Sequence, residues 1–215
     1  MNPARLTDMS CPSRPEGRRV PRVLLLMALL ATVLCGCQQA PPWRTRSIAY
    51  LMPDLAFSLT RQDGRSVQAA DYQGKVVLLF FGFSNCQMTC PATLGRLSAV
   101  LEKMGKRADQ VRVLFVSIDP NRDTPARLAT YTRAFAPQVV GLTGTKDQLL
   151  SLTRRYRAAF SYGGSYPRGN YAVYHSGAVF VFDNNGRVRL LFTQSDGIGE
   201  IRDDLSRLLT LQPAA

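Results

Sequence analysis

Apolar residues along the chain fall into blocks whose spacing alternates between that of a strand and that of a helix. The runs Lys75–Phe83 and Val111–Ile118 are almost unbroken, which predicts strands buried on both faces. Between them, Pro91–Met104 carries leucines at helical spacing and predicts a helix with one apolar face. The alternation continues through a helix, a short strand and another helix, which we predict at residues 125–136, 139–142 and 146–160.

Two hairpins, a loop and a closing helix surround these blocks. The hairpins turn at Asp63–Gly64 and at Asp183–Gly186, and a segment rich in Gly, Ser and Tyr predicts the loop. We place the two hairpins, the loop and the helix at residues 55–68, 178–192, 161–170 and 198–209. The order predicts an α/β fold with a central mixed sheet flanked by helices. It is the thioredoxin arrangement with an added N-terminal β-hairpin and a central insertion.

The first forty residues have the pattern of a targeting segment. The apolar run Val23–Leu34 follows a basic segment with Arg14, Arg18, Arg19 and Arg22, and its roughly 12 residues suit a signal peptide better than a bilayer span of about 20. The run ends in Leu34-Cys35-Gly36-Cys37, which resembles a bacterial lipobox and predicts lipidation of Cys37. The alternative is an uncleaved N-terminal anchor helix. We therefore expect a signal or anchor over residues 1–37, a tether over 38–52 and a folded domain over 53–211, on the periplasmic side of a membrane.

Composition and charge narrow the class of protein. An apolar share of 46 % is enough for a core, which argues against disorder over most of the chain. The net charge is +12, but the basic residues are spread along the sequence rather than gathered into a run. We interpret them as solvated surface charge and expect no nucleic-acid partner.

Two cysteines carry the candidate chemistry. Cys86 and Cys90 are the only cysteines beyond residue 37, and they stand where a buried strand gives way to a helix. Residues four apart on a helical turn face the same side, so both sulfurs can meet one metal ion or form a disulfide with each other. A helix N-terminus also favours thiolate. The remaining interpretation is a pair of buried apolar cysteines.

The single histidine of the chain, His175, completes a possible ligand set. It precedes the strand at residues 178–182, and in a thioredoxin topology this position lies beside the cysteine corner. Two thiolates and one imidazole form a soft, three-coordinate set that suits Cu(I), and Cu(II) with a further ligand. A structural zinc site would normally have four protein ligands. Met88 is also soft, but two residues from Cys86 it should point away.

Three motifs resemble the Sco/SenC copper chaperones. They are Cys86-x-x-x-Cys90-Pro91, the stretch Val116-Ser117-Ile118-Asp119-Pro120-x-Arg122-Asp123-Thr124-Pro125, and Tyr171-x-Val173-x-His175-Ser176. The resemblance covers residues 53–209. It implies that Cys86, Cys90 and His175 bind copper, and that the protein delivers copper to the CuA site of cytochrome c oxidase subunit II or reduces that site's cysteines. Another copper or thiol protein is the alternative client.

Some positions depart from the family pattern or have two interpretations. Ser84–Asn85 stands where relatives commonly have Thr-His, and Tyr174 where they often have Asp. Asp119 and Asp123 either end a strand and cap a helix, or lie near the metal or a docked partner. The tyrosines near His175 either cover the core or contact a partner, namely Tyr162, Tyr166, Tyr171 and Tyr174.

Three functions are compatible with these residues. The first is a metallochaperone without enzymatic activity, which passes Cu(I) on by ligand exchange. The second is a thiol–disulfide oxidoreductase in which Cys86 attacks, Cys90 resolves, and the two form a disulfide. A thiol peroxidase is the third, and it would need a group that activates one peroxidatic thiol.

Overall fold

An eight-stranded mixed sheet forms the centre of the computed structural model, which describes residues 42–163 and 171–211, with the backbone alone at 172, 174 and 175. In chain order its strands are β1 (Arg46–Ser47), β2 (Ser58–Arg61), β3 (Ser66–Gln68), β4 (Val76–Gly82), β5 (Val111–Ser117), β6 (Val139–Thr143), β9 (Val179–Phe182) and β10 (Val188–Phe192). A separate antiparallel pair consists of β7 (Phe160–Gly163) and β8 (Ala172–His175). The predicted α/β class with a mixed sheet is confirmed.

The sheet is parallel at its centre and antiparallel at its edges. Across the sheet the strand order is β1-β10-β9-β4-β5-β6-β2-β3. β5 runs parallel to both β4 and β6, while β9 is antiparallel to β4. Every residue of β4 is buried, as its unbroken apolar run predicted. The two cysteines therefore follow the carboxyl end of β4, a strand that is paired with neighbouring strands on both sides and buried on both faces.

Four helices of the described residues cover the sheet: α1 (Thr89–Met104), α2 (Pro125–Thr132), α3 (Lys146–Arg155) and α4 (Ile198–Leu211). Two short 3₁₀ helices span Ala69–Tyr72 and Gly105–Gln110. α2 begins as its sequence predicted, because the Thr124 hydroxyl accepts a hydrogen bond from the Arg127 amide at 3.2 Å and Pro125 occupies the first turn. Within the described part of the chain, every helix is too short or too polar to cross a membrane.

The alternation of side chains along β4 divides the core into two layers. Val76, Leu78 and Phe80 pack into one cluster with the buried faces of α1 and α4. Val77, Leu79 and Phe81 pack into the other, which includes residues of α3 and of β8. Cys86 contacts both clusters. The loop after β4 thus stands at the point where the two layers meet.

The N-terminal boundary differs from the prediction. Residues from Trp43 onward form one compact unit, so a tether extending to residue 52 is wrong for its described part. β1 pairs with β10, and the Thr45 amide donates to the buried Asp204 carboxylate at 2.8 Å. A two-residue polar strand has no periodicity by which to recognise it. Residues 1–37, including Cys37, and residues 38–41 lie outside the described residues.

Two helices end earlier than predicted. α2 ends at Thr132 rather than residue 136, and α3 ends at Arg155 rather than at Phe160. Tyr156 leaves the helix to enter the core, where its hydroxyl donates to the Asp54 carbonyl at 3.0 Å. Arg157 follows with φ +50°, a conformation that ends helices. The chain then forms β7 where a loop was expected, while residues 164–170 of that loop lie outside the described residues.

Candidate metal centre

Cys86 and Cys90 lie together at the corner between β4 and α1. Cys86 is half-buried in the connecting loop, and Cys90 is fully buried in the first turn of the helix. The Cys90 amide donates to the Cys86 sulfur at 3.3 Å, and the two thiols are hydrogen-bonded to each other. Both are free thiols in the structure. The pair is close enough to share one ion, and the predicted disulfide stays a prediction.

The fold leaves space for the Cys90 sulfur by placing glycine at the end of β4. A Cβ atom at Gly82 would lie 2.7 Å from the Cys90 sulfur and 2.5 Å from the Phe115 ring. The Phe115 ring is itself buried between Phe80 and Tyr131. Gly82 is therefore required by close packing at the site, which its position in an apolar run does not reveal.

Burial controls the chemistry of Cys90. Removal from water raises the pKa of the Cys90 thiol well above its ordinary value, and the neighbouring Cys86 raises it further. A backbone hydrogen bond from Phe83 opposes this effect but is the smaller influence. Cys90 is consequently a neutral thiol at physiological pH unless a cation at the site compensates a thiolate.

Asp123 fastens the cysteine loop to the end of β5. Its buried carboxylate accepts from the Ser84 amide at 2.8 Å, from the Ser84 hydroxyl, and from the Ser117 hydroxyl at 2.5 Å. The Arg127 guanidinium lies 3.6 Å from the same carboxylate. The interpretation of Asp123 as a helix cap is wrong, because Thr124 caps α2 and Asp123 instead holds Ser84, two residues before Cys86.

Asp119 is engaged on the other side of the site. It follows β5 and is fully buried, and its carboxylate accepts from the Tyr171 hydroxyl and from the Arg122 guanidinium. Neither Asp119 nor Asp123 is accessible to a docked partner in this conformation. Both act by holding neighbouring segments in place.

The backbone around His175 approaches the cysteine corner. His175 ends β8, where it is paired with Phe160. Two residues later, a Cβ atom at Gly177 would lie 3.4 Å from the Thr89 methyl group, next to Cys90 in α1. Cys86 packs against the same cluster as Val173 in β8. The described side chains, which do not include that of His175, contain no cluster of three metal-binding groups, so the third ligand stays a prediction.

The tyrosines and Met88 have different surroundings. The Tyr162 hydroxyl donates to the Ile118 carbonyl, and the Tyr171 hydroxyl donates to the Asp119 carboxylate. Both tyrosine hydroxyls therefore make hydrogen bonds within the domain. Tyr166 and the Tyr174 side chain lie outside the described residues. Met88, between the two cysteines, is 77 % exposed, in agreement with the expectation that it points away from a resident metal.

The fold and the thiol pair at the end of β4 define a thioredoxin-like protein with its site at the start of a helix. Residues 52–210 match the SCO1/SenC family model. The chain belongs to the SCO1/SenC family, which confirms the resemblance drawn from the three motifs.

Individual relatives agree with this assignment. The mitochondrial SCO2 homolog of Bos taurus is 31 % identical, over 93 % of this chain and 80 % of its own length. The structure of Bradyrhizobium japonicum ScoI with copper bound is 35 % identical with a TM-score of 0.67, covering 73 % of this chain and 99 % of that one. A SCO1/SenC family lipoprotein from Bacillus anthracis is 27 % identical with a TM-score of 0.61, covering 72 % and 94 %.

Proposed function

We propose that this protein is a copper chaperone that carries one copper ion on Cys86, Cys90 and His175 and delivers it to the CuA site of cytochrome c oxidase subunit II. The observation that carries the proposal is the contact between the two thiols at the corner of β4 and α1. The approach of the chain after His175 to Thr89 supports the third ligand. The similarity to a ScoI solved with copper bound supports the identity of the ion.

The residues at the corner fit a soft monovalent cation. Cu(I) prefers thiolate and imidazole ligands, and a three-coordinate ion would keep a side open to solvent next to the half-buried Cys86. Copper bound to Cys90 would also supply the positive charge that a buried thiolate needs. The three proposed ligands are one fewer than a structural zinc site normally has.

Delivery then proceeds by ligand exchange with no change in the oxidation state of copper. Client thiolates approach from the side of Cys86 and replace the protein's sulfurs one at a time. When Cys90 loses copper, it takes up a proton, because its buried setting disfavours the thiolate. Protonation of the vacated thiol opposes rebinding, so the burial of Cys90 favours release once a client supplies new ligands.

We place this activity outside the cytoplasm and at a membrane. The N-terminal segment supplies the anchor, either through a lipid on Cys37 or as an uncleaved helix, and the Bacillus anthracis relative is described as a lipoprotein. Since the folded unit begins at Trp43, a lipid on Cys37 would be attached only a few residues before it in the chain. The domain would therefore act close to the membrane that holds its client.

A thiol–disulfide oxidoreductase is the second candidate, and the difference in burial of the two thiols favours it. A half-buried Cys86 suits the attacking role and a buried Cys90 the resolving role. In that case Cys86 would bond to one sulfur of an oxidised client, and Cys90 would displace the client thiol. Two electrons would pass to the client, and a Cys86–Cys90 disulfide would remain.

One experiment separates the two functions. A soluble CuA domain serves as the client in two separate reactions. In the first, the client with reduced cysteines is mixed with the Cu(I)-loaded protein. In the second, the client with oxidised cysteines is mixed with the reduced, copper-free protein. A chaperone transfers copper to the client in the first reaction, and His175→Ala abolishes the transfer. An oxidoreductase reduces the client in the second reaction with or without His175, but not after Cys86→Ser. A wild-type protein that retains no copper after reduction would refute the chaperone.

A further inference from the structure

A cluster next to the cysteine corner joins the end of β5 to the β7–β8 hairpin. Four residues form it, and we call them the hairpin clamp: Asp119, Arg122, Tyr162 and Tyr171. The hydroxyls of Tyr162 and Tyr171 donate to the Ile118 carbonyl and to the Asp119 carboxylate. The tyrosine rings pack edge to face, with centroids 5.6 Å apart. The hairpin is thus attached to the loop after β5 from β7 and from the residue that precedes β8.

Arg122 closes the clamp. Its guanidinium donates to Asp119, donates to the Tyr171 carbonyl at 3.3 Å, and stacks 3.9 Å from the centre of the Tyr171 ring. The Arg122 side chain is only 18 % exposed and Asp119 is buried, so water screens this charge pair little. Tyr171 is therefore held through its hydroxyl, its ring and its backbone carbonyl at once.

The clamp bears on the position of His175 because of how β8 is supported. Among the described residues, β7 and β8 pair with each other and not with the central sheet. Tyr171 immediately precedes β8, and Val173 and His175 lie within it. The clamp holds the first of these positions, and Val173 is buried in the core. At the far end, the Ser176 amide donates to the Ala159 carbonyl at 3.2 Å.

We propose that the hairpin clamp is a positioning device that sets β8 at the distance from the cysteine corner at which His175 completes the copper site. This inference rests on the proposed function and adds to it a group of residues that touch no metal. The clamp uses Tyr171 and Arg122 to connect β8 to β5, whose end also fastens the cysteine loop through Asp123 and Ser117. The two cysteines and His175 are then all positioned relative to the same strand, β5.

The test is a double-mutant cycle between Tyr171→Phe and His175→Ala. Tyr171→Phe keeps the ring and removes the bond to Asp119. We measure Cu(I) affinity by competition with a chromophoric chelator, and nitrogen coordination by electron paramagnetic resonance of the Cu(II) form. Tyr156→Phe is the matched control, because it also removes a buried tyrosine hydrogen bond, to the Asp54 carbonyl, but away from the site. Arg122→Gln is a second variant that opens the clamp from its other side.

In the wild-type background, Tyr171→Phe should weaken copper binding about tenfold, as expected for loss of one charge-assisted hydrogen bond, and should reduce the nitrogen signal. In the His175→Ala background it should change affinity less than about twofold, since additivity fails for coupled residues. Tyr156→Phe should lower thermal stability and leave copper binding unchanged.

Three results would overturn the inference. Equal losses of affinity in both backgrounds would show that the clamp acts on the domain as a whole. Unchanged affinity and an unchanged nitrogen signal in both Tyr171→Phe and Arg122→Gln would show that it does not act on the site. Failure of the wild-type protein to bind copper would refute the proposed function itself, and the clamp would lose its role with it.

Discussion

Replacing Gly82 by alanine tests whether the end of β4 is shaped around the Cys90 sulfur. The added methyl group would lie 2.7 Å from that sulfur and 2.5 Å from the Phe115 ring, both far inside ordinary contact. Phe115 is buried and packs against Phe80 and Tyr131, so its ring has little room to move. The Cys90 sulfur would therefore shift by roughly 0.7 Å or more to restore a normal separation.

Two magnitudes follow for Gly82→Ala. Overpacking of this kind costs about 1–3 kcal/mol of folding free energy. Displacement of a metal-binding sulfur should weaken copper binding by about 10- to 100-fold, the range found when the groups that support metal ligands are altered. Urea denaturation of the copper-free protein gives the first quantity, and chelator competition gives the second.

Gly95→Ala is the control for Gly82→Ala. Gly95 lies on the exposed side of α1, and a Cβ atom there would meet no other atom within 4 Å. Alanine at this helix position should stabilise the protein by about 0.5–1 kcal/mol and leave copper binding unchanged. If Gly82→Ala were as stable as the wild type and bound copper equally well, the packing argument for the cysteine corner would be refuted.

Three further predictions concern the surroundings of the site. Iodoacetamide should label Cys86 first, because burial raises the pKa of Cys90 and keeps it protonated at neutral pH. Labelling of Cys90 should rise only as the pH becomes strongly alkaline. Equal labelling rates of the two cysteines by mass spectrometry would contradict this. Asp123→Asn should lower the free energy of unfolding by about 1–3 kcal/mol in urea, since the buried carboxylate that holds Ser84 is lost; a value near zero would contradict it. Asp204→Ala should leave the Thr45 amide without its acceptor and speed its hydrogen exchange, whereas an unchanged rate would show that β1 is held by other contacts.

The elements with strong apolar runs could be predicted closely from the sequence. β4 and β5 were placed within one residue of their observed bounds, because a strand buried on both faces has no polar interruptions. The corner between β4 and α1 followed from the same signal, and it located Cys86 and Cys90. The N-terminal cap of α2 was also readable, since Thr124 and Pro125 act locally.

Features that depend on distant residues could not be predicted in this way. β1 consists of two exposed residues, and it is held by β10 and Asp204, more than 140 residues away in the chain. Asp123 accepts from Ser84, 39 residues away in the chain, and neither sequence-based interpretation of Asp123 predicted this contact. The same holds for the approach of the backbone at Gly177 to Thr89, which depends on how the chain after β8 turns towards α1.

X-ray absorption at the copper edge on the reduced, copper-loaded protein measures the proposed ligand set itself. We predict one copper ion per chain with two sulfur ligands and one imidazole nitrogen, and loss of the nitrogen in His175→Ala while both sulfurs remain. Full copper loading with an unchanged ligand shell in His175→Ala, or copper retained after both Cys86→Ser and Cys90→Ser, would contradict it.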